Sequence, residues 1–208
     1  MGIIIKQGLK TSIASYLGFA VGAFNNIYLF PKFIGPEGIG LLNLINAAAM
    51  LFIPFLNMGF GTSISKFYPK FRDKPYFTSF LGYALVLPII SFLIFILAWP
   101  LTQGVFEWMF KSKSQVVFEN ILWVIPLAGI LLIFGLFEAF ARANYKVIVP
   151  NLIRSVYWRV FMSGIVLLIA LGIISYEYLV PSLIFAWFLM LVILVLYTMN
   201  VIKLKFSL

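Results

Sequence analysis

Between Glu177 and Lys203 the chain reads YLVPSLIFAWFLMLVILVLYTMNVI (residues 178–202), an unbroken run without one charged side chain. A helix crosses the hydrocarbon core of a bilayer in about 20 apolar residues, with a working range of roughly 17–25. The run has that length. It also lacks the alternation of polar and apolar positions that marks the strand of a membrane barrel. Five further uncharged windows precede it, at 11–31, 38–65, 75–106, 120–137 and 160–176. The expected spans are therefore 11–31, 41–64, 77–99, 119–140, 155–175 and 178–200, in an all-α membrane protein built as a six-transmembrane-helix bundle. The windows at 120–137 and 160–176 are near the lower limit, which draws Glu138 and Arg159 into or near the membrane.

The composition of the whole chain agrees. Of 208 residues, 63% are hydrophobic and 10% charged, and the mean hydropathy is +1.10; a soluble domain carries about 25% charged residues to solvate its surface. With no His and no Cys, zinc sites, iron–sulfur clusters, thiol nucleophiles and imidazole acid/base chemistry are excluded, and no metal or cofactor is expected. Asp73 is the single Asp, so no acid/base constellation is in view and the expectation is a protein that is not an enzyme.

The net charge of +9 reads as a topology signal. With Met1 in the cytoplasm, that side holds Lys6, Lys10, Lys66, Lys70, Arg72, Lys74, Arg142, Lys146, Arg154, Arg159, Lys203 and Lys205, and the far side Lys32, Lys111 and Lys113. A split of 12 against 3 places both termini in the cytoplasm by the positive-inside rule. Charge spread over alternate loops argues against a nucleic-acid partner. The first span is read as retained rather than cleaved, since no small-residue cleavage site follows it, and there is no lipidation motif. Trp99, Trp108, Trp123, Tyr157, Trp158, Tyr176 and Tyr178 fall near expected span ends, as interfacial aromatic belts do.

Polar groups inside a span face the bundle interior or a wet cavity. In the first span Thr11, Ser15, Gly18, Gly22 and Asn25 recur on one helical face, with Asn26 beside them; in the second, Asn43, Ala47, Met50, Pro54, Asn57 and Gly61 do the same, with Asn46 adjacent. Gly18 and Gly22 form a GxxxG pair that permits close helix approach. For the asparagines two readings stay open, interhelical hydrogen bonding and a lining for a cavity or ligand. Pro54, Pro88, Pro126 and Pro181 interrupt backbone hydrogen bonding in their spans. Glu138 and Arg142 are spaced to pair along one helix, and with Arg154 and Arg159 the arginines form a cationic cluster, read either as an anion-binding mouth or as topogenic charge with a helix-end ion pair.

In Tyr28-Leu29-Phe30-Pro31-Lys32-Phe33-Ile34-Gly35-Pro36-Glu37-Gly38-Ile39-Gly40-Leu41, Pro31 is expected to end the first helix, Gly35-Pro36 to make a tight turn and Gly40 to open the next helix. The basic residue, the Ile-Gly-Pro-Glu turn and the Gly-Leu pair resemble the polysaccharide biosynthesis protein family. Asn57-Met58-Gly59-Phe60-Gly61-Thr62-Ser63-Ile64-Ser65-Lys66-Phe67-Tyr68-Pro69 is similar to the segment ending that family's second helix. The resemblance covers mainly residues 11–72 and implies an oligosaccharide-lipid flippase of the MATE-like superfamily, which also holds the lipid II flippases. Such proteins have two six-helix lobes about a central cavity and move sugars on a polyprenyl pyrophosphate across the bacterial cytoplasmic membrane for cell-surface polysaccharide export.

On this resemblance residues 1–208 correspond to a single amino-terminal lobe without the carboxy-terminal lobe, and the expected partner is that missing second lobe or a second copy of the chain. The implied partners are a lipid-linked oligosaccharide and membrane lipids. Asn25, Asn26, Asn43, Asn46 and Asn57 are expected to meet sugar hydroxyls, and Arg142, Arg154 or Arg159 the pyrophosphate; this assignment rests on side-chain chemistry and not on family motifs. No Walker-type loop is present. The alternative is an ion-coupled drug or small-molecule exporter of the same superfamily, for which Glu138 is the candidate coupling acid.

Overall fold

The structure, a computed structural model, describes residues 3–72, 74–110 and 119–202. These residues are mostly helical, with no strand among them, and six helices are long and apolar enough to cross a membrane: Gln7–Phe33, Gly35–Asn57, Ser79–Leu101, Ile121–Ala143, Ile148–Ala170 and Tyr176–Asn200. The protein is a multi-pass membrane protein. Without water in the bilayer core every backbone polar group must be satisfied within the chain, and the helix does this locally.

Span one is α1 (Ile3–Phe24), a π-helical turn (Asn25–Leu29) and α2 (Phe30–Phe33) in one line. The expectation that Pro31 ends this helix is corrected. Pro31 sits in the first turn of α2, where its missing N–H is tolerated, and the wider π turn lies just before it. The chain reverses at Gly35, whose φ of +66° suits glycine. Pro36 then lies in the first turn of α3 (Gly35–Asn57), so the helix opens ahead of Gly40.

The expected second span, 41–64, is two helices. Met58 (φ 46°) and Gly59 (φ 78°) are both left-handed, which ends α3 at Asn57 and starts α4 (Phe60–Phe71) in a new direction. Span three lies within α5 (Phe77–Phe110), and span four is a 3₁₀ turn (Ile121–Trp123) followed by α6 (Val124–Ala143). Span five joins α7 (Ile148–Leu152), a second π turn (Ile153–Tyr157) and α8 (Trp158–Ala170). It begins before the expected 155 and ends before 175, so that Arg154 as well as Arg159 lies inside it. Span six is a 3₁₀ turn (Tyr176–Tyr178) and α9 (Leu179–Ile202).

Span four is the hub. Of its most apolar window 56% is buried, against 17% for span three. Leu127, Ala128, Leu132, Ala139 and Phe140 are enclosed by α3, α4 and α9. Span three docks by placing the ring of Phe92 on Gly129, where any side chain would collide. Lipid is as apolar as these side chains, so close packing rather than water exclusion holds the helices together.

The aromatic residues divide. Trp123, Tyr176 and Tyr178 are exposed at span ends. Trp99 is buried among Phe52 and Phe95, and Tyr157 and Trp158 lie within span five, so the interfacial expectation for these three is corrected. The side chains of Lys6 and Trp108, and Asp73, Lys111, Lys113, Lys203 and Lys205 entirely, lie outside the described residues.

Spans one and five meet on a small-residue seam. Gly18 lies against the Ser155 carbonyl and Gly22 against the Arg159 side chain, each so close that a Cβ would overlap. Gly18→Ala is expected to lower stability by about 1–3 kcal/mol, since backbone cannot move aside. Gly8→Ala, with nothing within 4 Å, is expected to change little; thermal unfolding of the purified variants in detergent compares them.

Candidate functional site

The seam carries a ladder of hydrogen bonds. At one end Asn151 Nδ2 donates to the Thr11 carbonyl (3.1 Å) and to Ser15 Oγ (3.2 Å), and Ser155 Oγ donates to Asn151 Oδ1 (3.3 Å). Further along, Asn25 Nδ2 donates to the Arg159 carbonyl (2.9 Å), and Asn25 Oδ1 accepts from Ser163 Oγ (2.7 Å). Asn25 is 1% exposed, and both ends of its amide are engaged on span five. The span-five partners Asn151, Ser155, Arg159 and Ser163 recur every fourth residue. That stripe was visible in the sequence and only its Arg159–Ser163 step was read from it.

Beside this seam opens a polar pocket of about 160 Å³ lined by Asn25, Asn26, Asn43, Asn46, Arg159 and Trp158, with Gly22 in its wall. Five of the nine expected site residues thus converge from three helices. Two of them adjoin π turns, Asn25 opening one and Arg159 following the other. Each adds one residue to a helical turn and shifts the face that follows, which for span five sets the direction of Arg159.

The partners inside the pocket are unequal. Asn26 Nδ2 turns back to the Gly22 carbonyl (2.9 Å). Arg159 Nη1 donates to the Ser155 carbonyl, and the rest of its guanidinium edge lies along the pocket wall with no other bond among the described residues. Asn46 Oδ1 is buried there without a hydrogen-bond partner among the described residues. A buried amide oxygen left unpaired costs about 1–3 kcal/mol. Asn43 and Asn26 are exposed at its mouth. The pocket therefore presents amide donors and acceptors beside one guanidinium.

Glu138, Arg142 and Arg154 form a separate cluster. Glu138 is clasped by Arg142 (3.2 Å), one turn along α6, and by Arg154 of span five (3.4 Å). Glu138 and Arg154 also line a second, mostly apolar pocket of about 270 Å³, whose wall includes Met50, Pro54, Gly135 and Trp187. Pro54 has no N–H to give the Met50 carbonyl, so one acceptor is left on that wall. Trp187 stacks on Trp158 with ring centroids 4.9 Å apart, so one face of the stack belongs to each pocket. Asn57 joins neither group. Its Oδ1 accepts from the Gly61 N–H (3.1 Å) across the helix break and caps α4.

Among the described residues the protein is thus a helical membrane bundle with a polar pocket bounded by three of its spans. The chain belongs to the polysaccharide biosynthesis protein family, whose profile matches residues 5–201. No curated protein and no solved structure matches the chain.

The chain has no Cys, so an introduced thiol is unique. With the protein in lipid, Asn43→Cys is expected to react with a water-soluble maleimide through the pocket mouth. Leu97→Cys, 79% exposed on the lipid side of span three, is expected to stay unlabelled. Equal labelling of the two would deny the pocket its water.

Proposed function

We propose that the chain is one six-helix lobe of a MATE-like flippase that moves a polyprenyl-pyrophosphate-linked oligosaccharide across the cytoplasmic membrane, with both termini in the cytoplasm. Family membership supports the polysaccharide pathway. The observation that carries the rest is the pocket joining four asparagines to Arg159 inside the spans. Such groups are costly in hydrocarbon and mark a substrate path. Asparagine amides match sugar hydroxyls, the guanidinium matches a phosphate oxygen pair, and the prenyl chain stays in the bilayer. The reading is transport and not catalysis.

The stripe Asn43, Ala47, Met50 and Pro54 on α3 is exposed, and Asn26 is exposed beside it. Lipid is a poor neighbour for that face. In the proposed assembly a second lobe or a second copy of the chain covers it and completes the cavity. Glu138, held by two arginines, is not free to bind a coupling cation, which favours the flippase over an ion-coupled exporter.

Binding of a prenyl-pyrophosphate-linked sugar to the reconstituted protein tests this, followed by the fluorescence of the pocket residue Trp158 and its stacked neighbour Trp187. Arg159→Ala is expected to weaken binding at least tenfold, and Arg159→Lys less, because a point charge replaces a bidentate fork. The seam should survive both, since Asn25 bonds the Arg159 carbonyl and not its side chain. Equal binding by wild type and Arg159→Ala would sink the proposal.

A further inference from the structure

The basic residues between spans two and three do more than set topology. Lys66 and Lys70 stand on a folded helix, α4, with Arg72 and Lys74 just past its end, and α4 packs Gly61, Ile64 and Tyr68 against Leu136, Ala139 and Phe140 of span four and Leu81 and Ala84 of α5. Tyr68 meets Phe140 and Phe77 edge to face (6.1 and 5.2 Å), which pins α4 to the end of the bundle where span four finishes and span three starts. The helix therefore lies where headgroups begin.

Its other face is basic and aromatic. Lys66, Lys70, Arg72 and Lys74 are exposed. Phe67 stacks on Phe71 at 5.8 Å, and Phe71 meets Tyr76 and Phe80 edge to face at 5.4 and 5.2 Å. Lys66 and Lys70 hold their ammonium groups over the Phe67 ring, at 5.6 and 5.9 Å from its centroid. Across 66–74 the sequence sets four basic residues against Asp73 alone. An amphipathic helix at a membrane surface with aromatic side chains beneath a row of cations is the pattern that binds anionic lipid.

We infer that α4 is a binding site for anionic phospholipid headgroups of the bilayer in which the protein sits. Charge complementarity selects the occupant, and the surface is continuous with the lipid-facing sides of spans two and three. The inference stands apart from the proposed substrate and from the choice of membrane side. Because α4 follows directly on the left-handed break at Met58 and Gly59, lipid bound here would steady the hinge end of span two.

The test is native mass spectrometry of protein extracted from nanodiscs of mixed phosphatidylglycerol and phosphatidylcholine, counting each lipid retained. Wild type is expected to retain phosphatidylglycerol selectively and to lose that preference in high salt. At about fivefold per basic residue near the surface, the K66Q/K70Q/K74Q variant should lose at least tenfold of the preference. The K66R/K70R/K74R variant should keep it, as should K10Q/K146Q, which removes exposed lysines elsewhere. The inference is overturned by an unchanged preference in the glutamine variant, by equal loss in the arginine variant or in K10Q/K146Q, or by a wild type that retains both lipids alike. Binding of a soluble acidic protein by wild type without any phosphatidylglycerol preference would equally overturn it.

Discussion

A polar amide in hydrocarbon must find a partner, and the partner that Asn25 finds organises half of this molecule. Its two bonds to span five, one to the Arg159 carbonyl and one from Ser163, require the helices to approach until no side chain fits between them. Gly18 and Gly22 make that approach possible. With spans one and five so close, the bulky Arg159 side chain is laid across Gly22 and held at the pocket wall. The pocket is thus a product of the seam beside it: remove the close approach and Arg159 has no fixed position from which to meet an anion.

The rest of the bundle is arranged around span four, whose small and large residues alternate to accept α3, α4 and α9. Because lipid gives helices no apolar reason to associate, specificity comes from shape, as where Phe92 fills the notch at Gly129, and from the few polar contacts. The Trp158–Trp187 stack belongs to both schemes. It is a packing contact between spans five and six, and it is also the partition between a polar pocket and an apolar one that carries Glu138 and Arg154.

Much of the site was legible beforehand. The stripe of Gly18, Gly22 and Asn25 was visible from spacing, and it is the buried face of span one. Asn43 and Asn46 were visible in the same way, and they share one pocket with Asn26 and Arg159. What spacing did not separate was the role of each residue. Asn25 and Asn57 look alike in sequence, yet one ties two spans together and the other caps a helix. The arginine cluster looked single, yet Arg142 and Arg154 share Glu138 while Arg159 belongs to another pocket. Arg154 and Arg159 are five residues apart on one span, and the charge cluster in the sequence did not say which neighbouring helix each would face.

The sequence by itself determined that this is a helical membrane protein with six spans, because hydrocarbon demands long apolar runs and local backbone hydrogen bonding whatever the neighbours are. It also determined its family character through the turn after the first span. Only the tertiary structure decided that span two stops at Asn57, that Trp99 is buried, and that Arg154 as well as Arg159 lies within span five. Those outcomes depend on two left-handed residues, on the gap between Phe52 and Phe95, and on a glycine one helix away. The short window already drew Arg159 toward the membrane, and the glycine at position 22 gives its side chain a place there.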